Sequence, residues 1–112
     1  MHVSLTRAAV SDDVPAEFAS LLGEEMVRWL RDIEGFRGLM LISRPGETIG
    51  LSFWDSREIA NEHRPARRQF IERMTGTVGV EVDEIVDYDV TFAEVTALSA
   101  RTAAGPAVEG GP

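Results

Sequence analysis

One histidine in this sequence is placed where acid–base chemistry could occur. His63 belongs to an inward-facing stripe of one predicted helix, whose members recur at steps of three and four residues: Ile59, His63, Ala66, Phe70 and Met74. Because imidazole titrates near neutral pH, His63 could remove a phenolic or enolic proton and leave a carbanion-like substrate that reacts with oxygen directly. The alternative is a buried neutral histidine that is hydrogen-bonded to a backbone carbonyl or an acid. His63 is predicted to be the only histidine in the body of the fold.

An arginine interrupts an otherwise apolar face of the first predicted strand. Arg7 alternates there with Val3, Leu5 and Ala9. A guanidinium at this position could anchor a carboxylate or stabilise the negative charge of an enolate. Alternatively, Arg7 pairs with Glu84, the one charge on the apolar face of the last predicted strand, and the two roles are compatible.

Four further residues are candidates for contact with a bound molecule. Trp54 ends the third predicted strand and could form a wall for an aromatic ligand, although tryptophan there is more often a core or interface anchor. Phe70 is a second aromatic candidate, on the helix face that carries His63. Asn61 is the only asparagine of the chain and is expected at the surface. Arg67 could draw an acidic ligand, or it could pair with neighbouring glutamates on a solvated face.

Composition excludes several classes of function. The 112 residues allow one domain, and the absence of cysteine rules out disulfides, thiolate catalysis and cysteine-bound zinc. A net charge of −8 argues against nucleic-acid binding. No apolar run approaches the roughly 20 residues that span a bilayer, and no secretory signal is visible, so we expect a cytoplasmic protein without a membrane partner.

Motifs that hold phosphates, metals or hydrolytic nucleophiles are also absent from the sequence. It contains no phosphate-cradling glycine loop, no G-x-S-x-G and no H-E-x-x-H. Neither histidine has the spacing of a metal ligand relative to nearby carboxylates. We therefore expect no metal and no other cofactor, and neither a hydrolase nor a kinase.

The elements that must position these residues alternate between strands and helices. His2–Val10 predicts a strand, and Asp12 or Asp13 is expected to cap a first helix that ends at Gly35. Phe36–Ser43 and Thr48–Trp54 predict two strands joined by a type II turn at Pro45-Gly46.

A second helix and a long strand complete the predicted domain. Asp55, three residues before Glu58, is expected to cap this helix, with a kink or break near Arg64 because Pro65 follows. Val78–Phe92 alternates with period two, so we expect one valine-rich face and one acidic face. The Ala/Gly/Pro-rich tail, residues 94–112, lies outside a domain of residues 1–93.

The predicted order β-α-β-β-α-β is that of a ferredoxin-like α+β fold. A four-stranded antiparallel sheet would carry both helices on one face. The second face would be partly apolar on the strands of the hairpin, and an exposed face of that kind needs a cover. We therefore expect a homodimer whose sheets pack face to face.

Two segments of the chain resemble the dimeric α+β barrel superfamily, and most closely its antibiotic biosynthesis monooxygenase branch. Asp32–Gly38 is similar to the Pro/Glu-Gly-Phe step that ends the first helix in that family, and Gly50–Ser56 is similar to its aromatic-Trp-Asp/Glu-Ser junction before the second helix. The resemblance covers residues 1–93. It implies a homodimer with a pocket between helices and sheet in each subunit.

Several activities are known on that scaffold, and the sequence disfavours one of them. They include cofactor-free oxygenation of polycyclic aromatic substrates, haem degradation and quinol oxygenation. The haem-degrading type uses an asparagine on the first strand and a tryptophan and a histidine on the second helix. This chain lacks both that asparagine and that tryptophan, and His63 falls about where the tryptophan would be.

The resulting hypothesis is a homodimer that binds a small apolar or aromatic molecule. It would be a cofactor-independent monooxygenase of an aromatic or polyketide-like substrate, with His63 as base and Arg7 as charge partner. One alternative is a non-catalytic ligand-binding or assembly module whose pocket is filled by its own side chains. A further alternative is an isomerase or decarboxylase that needs the same base but no oxygen.

Overall fold

A computed structural model describes residues 1–76 and 79–96. The strands and helices follow the order β1 (His2–Val10), α1 (Phe18–Leu30), β2 (Phe36–Arg44), β3 (Glu47–Trp54), α2 (Arg57–Glu62), α3 (Arg64–Thr75) and β4 (Val80–Asp89). The predicted tail from residue 97 onward, and Val78 at the predicted start of the last strand, lie outside the described residues.

The four strands form one antiparallel sheet in the order β2-β3-β1-β4. This order, with β1 in the interior and β4 and β2 at the edges, confirms the predicted ferredoxin-like fold. The helices pack on one face of the sheet, which we call the inner face; the opposite face is the outer face. Met26 and Leu30 of α1 and Ala60 of α2 are buried together with Trp54 at the end of β3, and they form the core.

The turn between β2 and β3 is the predicted two-residue turn. Arg44 pairs with Glu47, and Gly46 between them has a φ of 87°. The third residue of a type II turn requires such a positive φ, which glycine adopts without steric cost.

Both predicted ends of the first helix were wrong. Neither Asp12 nor Asp13 caps it, because the chain first makes a turn in which Phe18 N donates to Pro15 O, and α1 then begins at Phe18. The helix ends at Leu30, with Arg31 as its C-cap. Gly35 instead takes a φ of 96° at the entry to β2, where a Cβ would lie 2.6 Å from Ile59 Cδ1.

The second predicted helix is broken as expected, but its cap differs. Ser56 rather than Asp55 caps α2, since its side chain accepts a hydrogen bond from Ile59 N at 3.2 Å. Asp55 forms an exposed bidentate ion pair with Arg37 of β2, and this hydrogen bond keeps the pKa of Asp55 below its usual value.

The break falls at His63, which ends α2 and precedes α3. Pro65 lies in the first turn of α3, where its missing N–H is not needed. The three described helices have 13, 6 and 12 residues. Within residues 1–76 and 79–96, no helix is long and apolar enough to cross a membrane.

A β-bulge in β4 overturns the predicted single valine face. Arg7 of β1 pairs with Glu84 and the next residue, Ala8, pairs with Val82, so the register shifts by one residue. Val82 therefore lies on the inner face, whereas Tyr88 lies on the outer face beyond the bulge. Asp87, which was predicted on a solvated acidic face, lies opposite Ser4 on the inner face.

Candidate ligand-binding cavity

A cavity of about 370 Å³ lies between the inner face of the sheet and the helices α1 and α3. Its floor is made by the alternate residues of the two central strands that point toward the helices: Ser4, Thr6, Ala8, Val10, Thr48, Gly50 and Ser52. Most of these side chains are small, so they leave space between the sheet and the helices. The cavity follows from the small size of the floor residues.

The walls of the cavity are largely apolar. The two helices and the edge strand β2 supply Phe18, Leu22, Met26, Leu39, Leu41 and Ile71. At one end the lining residues Asp12, Pro15, Arg44 and Pro45 are solvent-exposed, so the mouth lies between the β1–α1 connection and the β2–β3 turn. A slot of this kind suits a small, mostly apolar molecule.

The opposite end of the cavity is closed by a buried arginine. Arg67 of α3 is only 5% exposed. Its Nη1 donates to Ser4 Oγ and Ser52 Oγ, both at 3.3 Å, and its Nη2 donates to Ala60 O at 2.9 Å. Its Nε makes no hydrogen bond, and no carboxylate within the described ranges forms an ion pair with it. Burial, together with the charge of Arg64, lowers the pKa of Arg67 to about 10, so it remains a cation at neutral pH.

A second polar network lies next to Arg67. The carboxylate of Asp87 accepts hydrogen bonds from His2 Nε2 at 3.0 Å and from Arg64 Nη2. Burial raises the pKa of Asp87, but the His2 hydrogen bond and the Arg64 charge outweigh that effect, so the pKa lies below its usual value. The carboxylate of Asp87 is thus hydrogen-bonded to His2 and Arg64, and its charge also raises the pKa of Arg67 without forming an ion pair with it.

Trp54 connects the core to the arginine end of the cavity. It is fully buried, and its Nε1 donates to Ser52 Oγ at 2.9 Å. Its ring lies 5.1 Å from the guanidinium carbon of Arg67 and is stacked with the ring of His63 at 5.9 Å. This cation–π contact holds the Arg67 guanidinium against an aromatic face.

Of the residues predicted from sequence, Arg67 lines the cavity, whereas Trp54 contacts Arg67 from the core and is not among the described lining residues. Arg67 is buried and does not lie on a solvated face. His63 is half-buried against Trp54 and is not among the described residues that line the cavity. Phe70 stacks on Trp29 at 5.9 Å, and Asn61 is exposed, with its Oδ1 accepting from Arg64 at 3.4 Å.

Arg7 lies on the outer face, away from the cavity. Strand alternation places its side chain opposite those of Thr6 and Ala8, which line the cavity. Arg7 Nε is 3.2 Å from Glu47 Oε2. The predicted partner Glu84 is adjacent to Arg7 in register, but its side chain lies outside the described part of the structure.

Sequence reasoning missed four residues around Arg67: Ser4, Ser52, His2 and Asp87. His2 is buried, so His63 is not the only histidine in the body of the fold. One signal was available, because His2, Ser4, Thr6 and Ala8 alternate along β1 and form a small, polar face. The signal was hidden because the apolar face of a strand is normally the buried one.

The described residues contain no group of three or more His, Cys, Asp or Glu side chains that could hold a metal ion. The buried polar groups of the cavity lining include the Arg67 guanidinium and the hydroxyls of Ser4 and Ser52. Together they suit an organic anion or a polarised carbonyl oxygen.

Solved structures of the same architecture cover most of the chain. A candidate antibiotic biosynthesis monooxygenase from Deinococcus radiodurans has a TM-score of 0.65 and 19% identity, over 86% of this chain and 98% of that one. The chain has the antibiotic biosynthesis monooxygenase fold. This confirms the predicted ferredoxin-like α+β fold of the single chain.

Two other similar structures come from Streptomyces. The monooxygenase ActVA-Orf6 of Streptomyces coelicolor, in complex with nanaomycin D, has a TM-score of 0.63 and 16% identity, over 86% of this chain and 92% of that one. An alanine variant of SnoaB, a cofactor-independent oxygenase from Streptomyces nogalater, has a TM-score of 0.60 and 12% identity, over 82% and 95%. No protein-family model matches the sequence, and no curated protein matches it.

Proposed function

We propose that the cavity binds a small, largely apolar aromatic molecule that carries an ionisable oxygen. The observation that carries this proposal is the apolar slot of about 370 Å³ that ends at the buried cation of Arg67, with which no carboxylate among the described side chains forms an ion pair. A buried guanidinium that forms no ion pair is stabilised when an anion enters its site. The proposal has further support from the nanaomycin D complex of a protein with the same fold.

We further propose that the bound molecule is oxygenated without a cofactor. An aromatic ketone with an adjacent CH2 group loses a proton to form an enolate, which Arg67 would stabilise. The enolate gives electrons to O2, and in the complete reaction the CH2 group and O2 become a carbonyl group and one water. The chemistry of SnoaB, a cofactor-independent oxygenase with this fold, supports this proposal.

Arg67 takes the role of charge partner in this proposal. Arg7 was the candidate from the sequence, but its position on the outer face separates it from a ligand in the cavity of its own subunit. His63 stays a candidate base, although it would have to act past the ring of Trp54. Loss of the proton to water through the cavity mouth is the simpler route, because Arg67 lowers the free energy of the resulting enolate.

We also propose that the functional unit is a homodimer. The outer face carries a continuous set of apolar side chains with no helix over it: Val3, Leu5, Met40, Ile42, Ile49, Leu51, Phe53, Val86 and Tyr88. Ile42 is 48% exposed and Tyr88 is 52% exposed. A face of this size and apolarity is typical of a surface that a second subunit covers.

Oxygen uptake with a panel of anthrone- and quinol-type substrates tests the proposed reaction. We expect turnover by the wild type and a loss of about tenfold to a hundredfold in Arg67→Met, since one buried charge interaction contributes about 1.5–3 kcal/mol. Arg68→Met is the matched control, because Arg68 is the exposed neighbour on the same helix. Equal turnover in Arg67→Met and Arg68→Met would contradict the role of Arg67, and unchanged turnover in His63→Ala would remove His63 as base.

A non-catalytic ligand-binding module is the second candidate. Among the described residues that line the cavity, the only carboxylate is Asp12 at the mouth, and no histidine lines it. Tight binding of anthrone-type molecules with no oxygen uptake would favour this function. Turnover that persists without oxygen would favour an isomerase or decarboxylase instead.

A further inference from the structure

Two serines face each other on the cavity floor beside Arg67. Ser4 of β1 and Ser52 of β3 are direct partners across the antiparallel ladder, and both line the cavity. They are only 1% and 4% exposed. Directly opposite residues of neighbouring strands have Cβ atoms about 5 Å apart, so both hydroxyls can reach one ligand atom.

The hydrogen of the Ser52 hydroxyl has no acceptor among the described residues. A serine hydroxyl offers one hydrogen and two acceptor lone pairs. Ser52 Oγ accepts from Trp54 Nε1 at 2.9 Å and from Arg67 Nη1 at 3.3 Å, which occupies both lone pairs. Trp54 and Arg67 are donors only, so neither can accept the hydrogen in return. Ser52 Oγ makes no further hydrogen bond within the described ranges.

The hydrogen of the Ser4 hydroxyl is also without an acceptor among the described residues. Its oxygen accepts from Arg67 Nη1 at 3.3 Å, and this is its one hydrogen bond to a side chain in the described part of the chain. The Arg67 guanidinium is a donor only and cannot accept the hydrogen of the Ser4 hydroxyl, so this hydrogen is available to a ligand. Two hydroxyl hydrogens are thus available to an acceptor in the cavity, and each belongs to an oxygen polarised by the same guanidinium.

The charges around the two hydroxyls favour an anion. Arg67 and Arg64 come from α3, and Asp87 of β4 lies opposite Ser4 in register. Asp87 is already bonded to His2 and Arg64, so two cations and one engaged carboxylate surround the pair.

We infer that the hydroxyls of Ser4 and Ser52 form an oxyanion-binding pair for the ionised oxygen of a phenol or enol ligand. This inference rests on the proposed function of the cavity and adds the atoms that hold the ligand oxygen. Two donors and a nearby cation stabilise the ionised ligand more than its neutral form, so they lower the pKa of the bound phenol or enol. The reactive anion would then accumulate without a base on the cavity wall.

The pKa of a bound phenol tests the pair. The probe is 2-hydroxyanthraquinone, whose phenolate is followed by absorbance during a pH titration with and without excess protein. The wild type is expected to lower the pKa of the bound probe. Ser4→Ala and Ser52→Ala should each raise that pKa by about one unit and weaken phenolate binding about tenfold, because each removes a hydrogen bond to a charged group.

Matched variants separate the hydroxyl from the rest of the side chain. Ser4→Thr and Ser52→Thr keep the hydroxyl and should keep the lowered pKa of the probe. Ser20→Ala, on α1 and outside the cavity lining, should behave as wild type. Ser52→Ala leaves Trp54 Nε1 without its acceptor, so if it unfolds, Ser4→Ala provides the decisive measurement.

The methyl ether of the probe distinguishes failure of the pair from failure of the cavity. The ether cannot ionise, so its binding should be the same in wild type and serine variants. If Ser4→Ala binds the probe and lowers its pKa as much as the wild type does, the oxyanion pair is overturned, whereas the proposal that the cavity binds such a molecule is retained. If neither the probe nor its ether binds the wild type, both proposals are overturned.

Discussion

The two faces of the sheet reverse the usual relation between polarity and cover. On β1, the face that meets the helices carries His2, Ser4 and Thr6, whereas the face without helices carries Val3 and Leu5. A sheet with one wet face normally turns its apolar side toward the helices. Here the covered face is the polar one.

Each face is therefore incomplete in a different way. The inner face has small side chains and lies next to the buried cation of Arg67 on α3, so there is space for an aromatic anion. The outer face has large apolar side chains and no cover, so it lacks a second protein surface. The proposed ligand binding and the proposed self-association would use opposite sides of one sheet, so they should be open to separate disruption.

The largest effect is expected from a charge on the outer face. Ile42→Glu places two like charges within the proposed dimer interface, which costs several kcal/mol and should raise the dimer dissociation constant about a hundredfold or more. Ile42 is exposed in the single chain, so its fold should persist. Light scattering at micromolar concentration measures the change, with the exposed helix variant Gln69→Glu as control. A monomeric wild type would remove the dimer from this comparison.

A larger side chain on the cavity floor should weaken ligand binding at the inner face and leave association at the outer face unchanged. Ala8→Leu occupies the floor of the slot and should weaken binding of an anthrone-type ligand by about tenfold or more, since overpacking costs about 1–3 kcal/mol. Ala9→Leu is the control, because Ala9 is the next residue and lies on the outer face. Calorimetry measures ligand binding. Equal losses in both variants would show that the two faces are not independent.

Removal of the Arg67 charge should weaken ligand binding with little change in the stability of the fold. Arg67→Met keeps most of the side-chain volume but removes a buried cation that forms no ion pair with the described carboxylates. The free energy of unfolding should change by no more than about 1 kcal/mol, because relief of the buried charge offsets the lost hydrogen bonds to Ser4, Ser52 and Ala60 O. Urea denaturation measures it, with Arg68→Met as reference. A loss of stability of several kcal/mol would mean that Arg67 serves the fold rather than a ligand.

The smallest effect is expected on the stability of the fold at acidic pH. The pKa of Asp87 is lower in the folded chain than in the unfolded one, so the ionised carboxylate stabilises the fold above its unfolded pKa, and this contribution is lost as the pH falls through its folded pKa. Asp87→Asn should therefore lose about 1 kcal/mol at pH 7 and show a shallower decline of stability below about pH 4. Denaturation between pH 7 and pH 3 measures this decline. The exposed variant Asp32→Asn should keep the wild-type slope.

Local signals predicted the order of elements well. The Pro45-Gly46 turn and the helix break before Pro65 both follow from one residue whose backbone conformation is restricted or unusually free. Helix ends were predicted less well, since Asp12, Asp13 and Asp55 are all acceptable caps by residue type. Ser56 caps α2, whereas Asp55 pairs with Arg37, a contact between residues that are 18 positions apart and that the pairing of β2 with β3 brings together.

The candidate site was predicted in part. Arg67 and Trp54 were named from the sequence, but their contact with each other and with Ser52 was not. Asp87 was placed on the wrong face because the bulge opposite Arg7 and Ala8 shifts every later residue of β4 by one position. A pattern of period two gives no warning of such a shift.

The amino-acid sequence by itself determined the βαββαβ order and which residues of a strand lie together on one side. Only the tertiary structure decided which of those sides meets the helices, and with it the burial of Arg67 between Ser4 and Ser52 and the exposure of Ile42. The physical reason is that alternation is symmetric. It separates the two sides of a strand, but the packing of distant segments decides which side faces a helix, which faces a ligand and which faces another subunit.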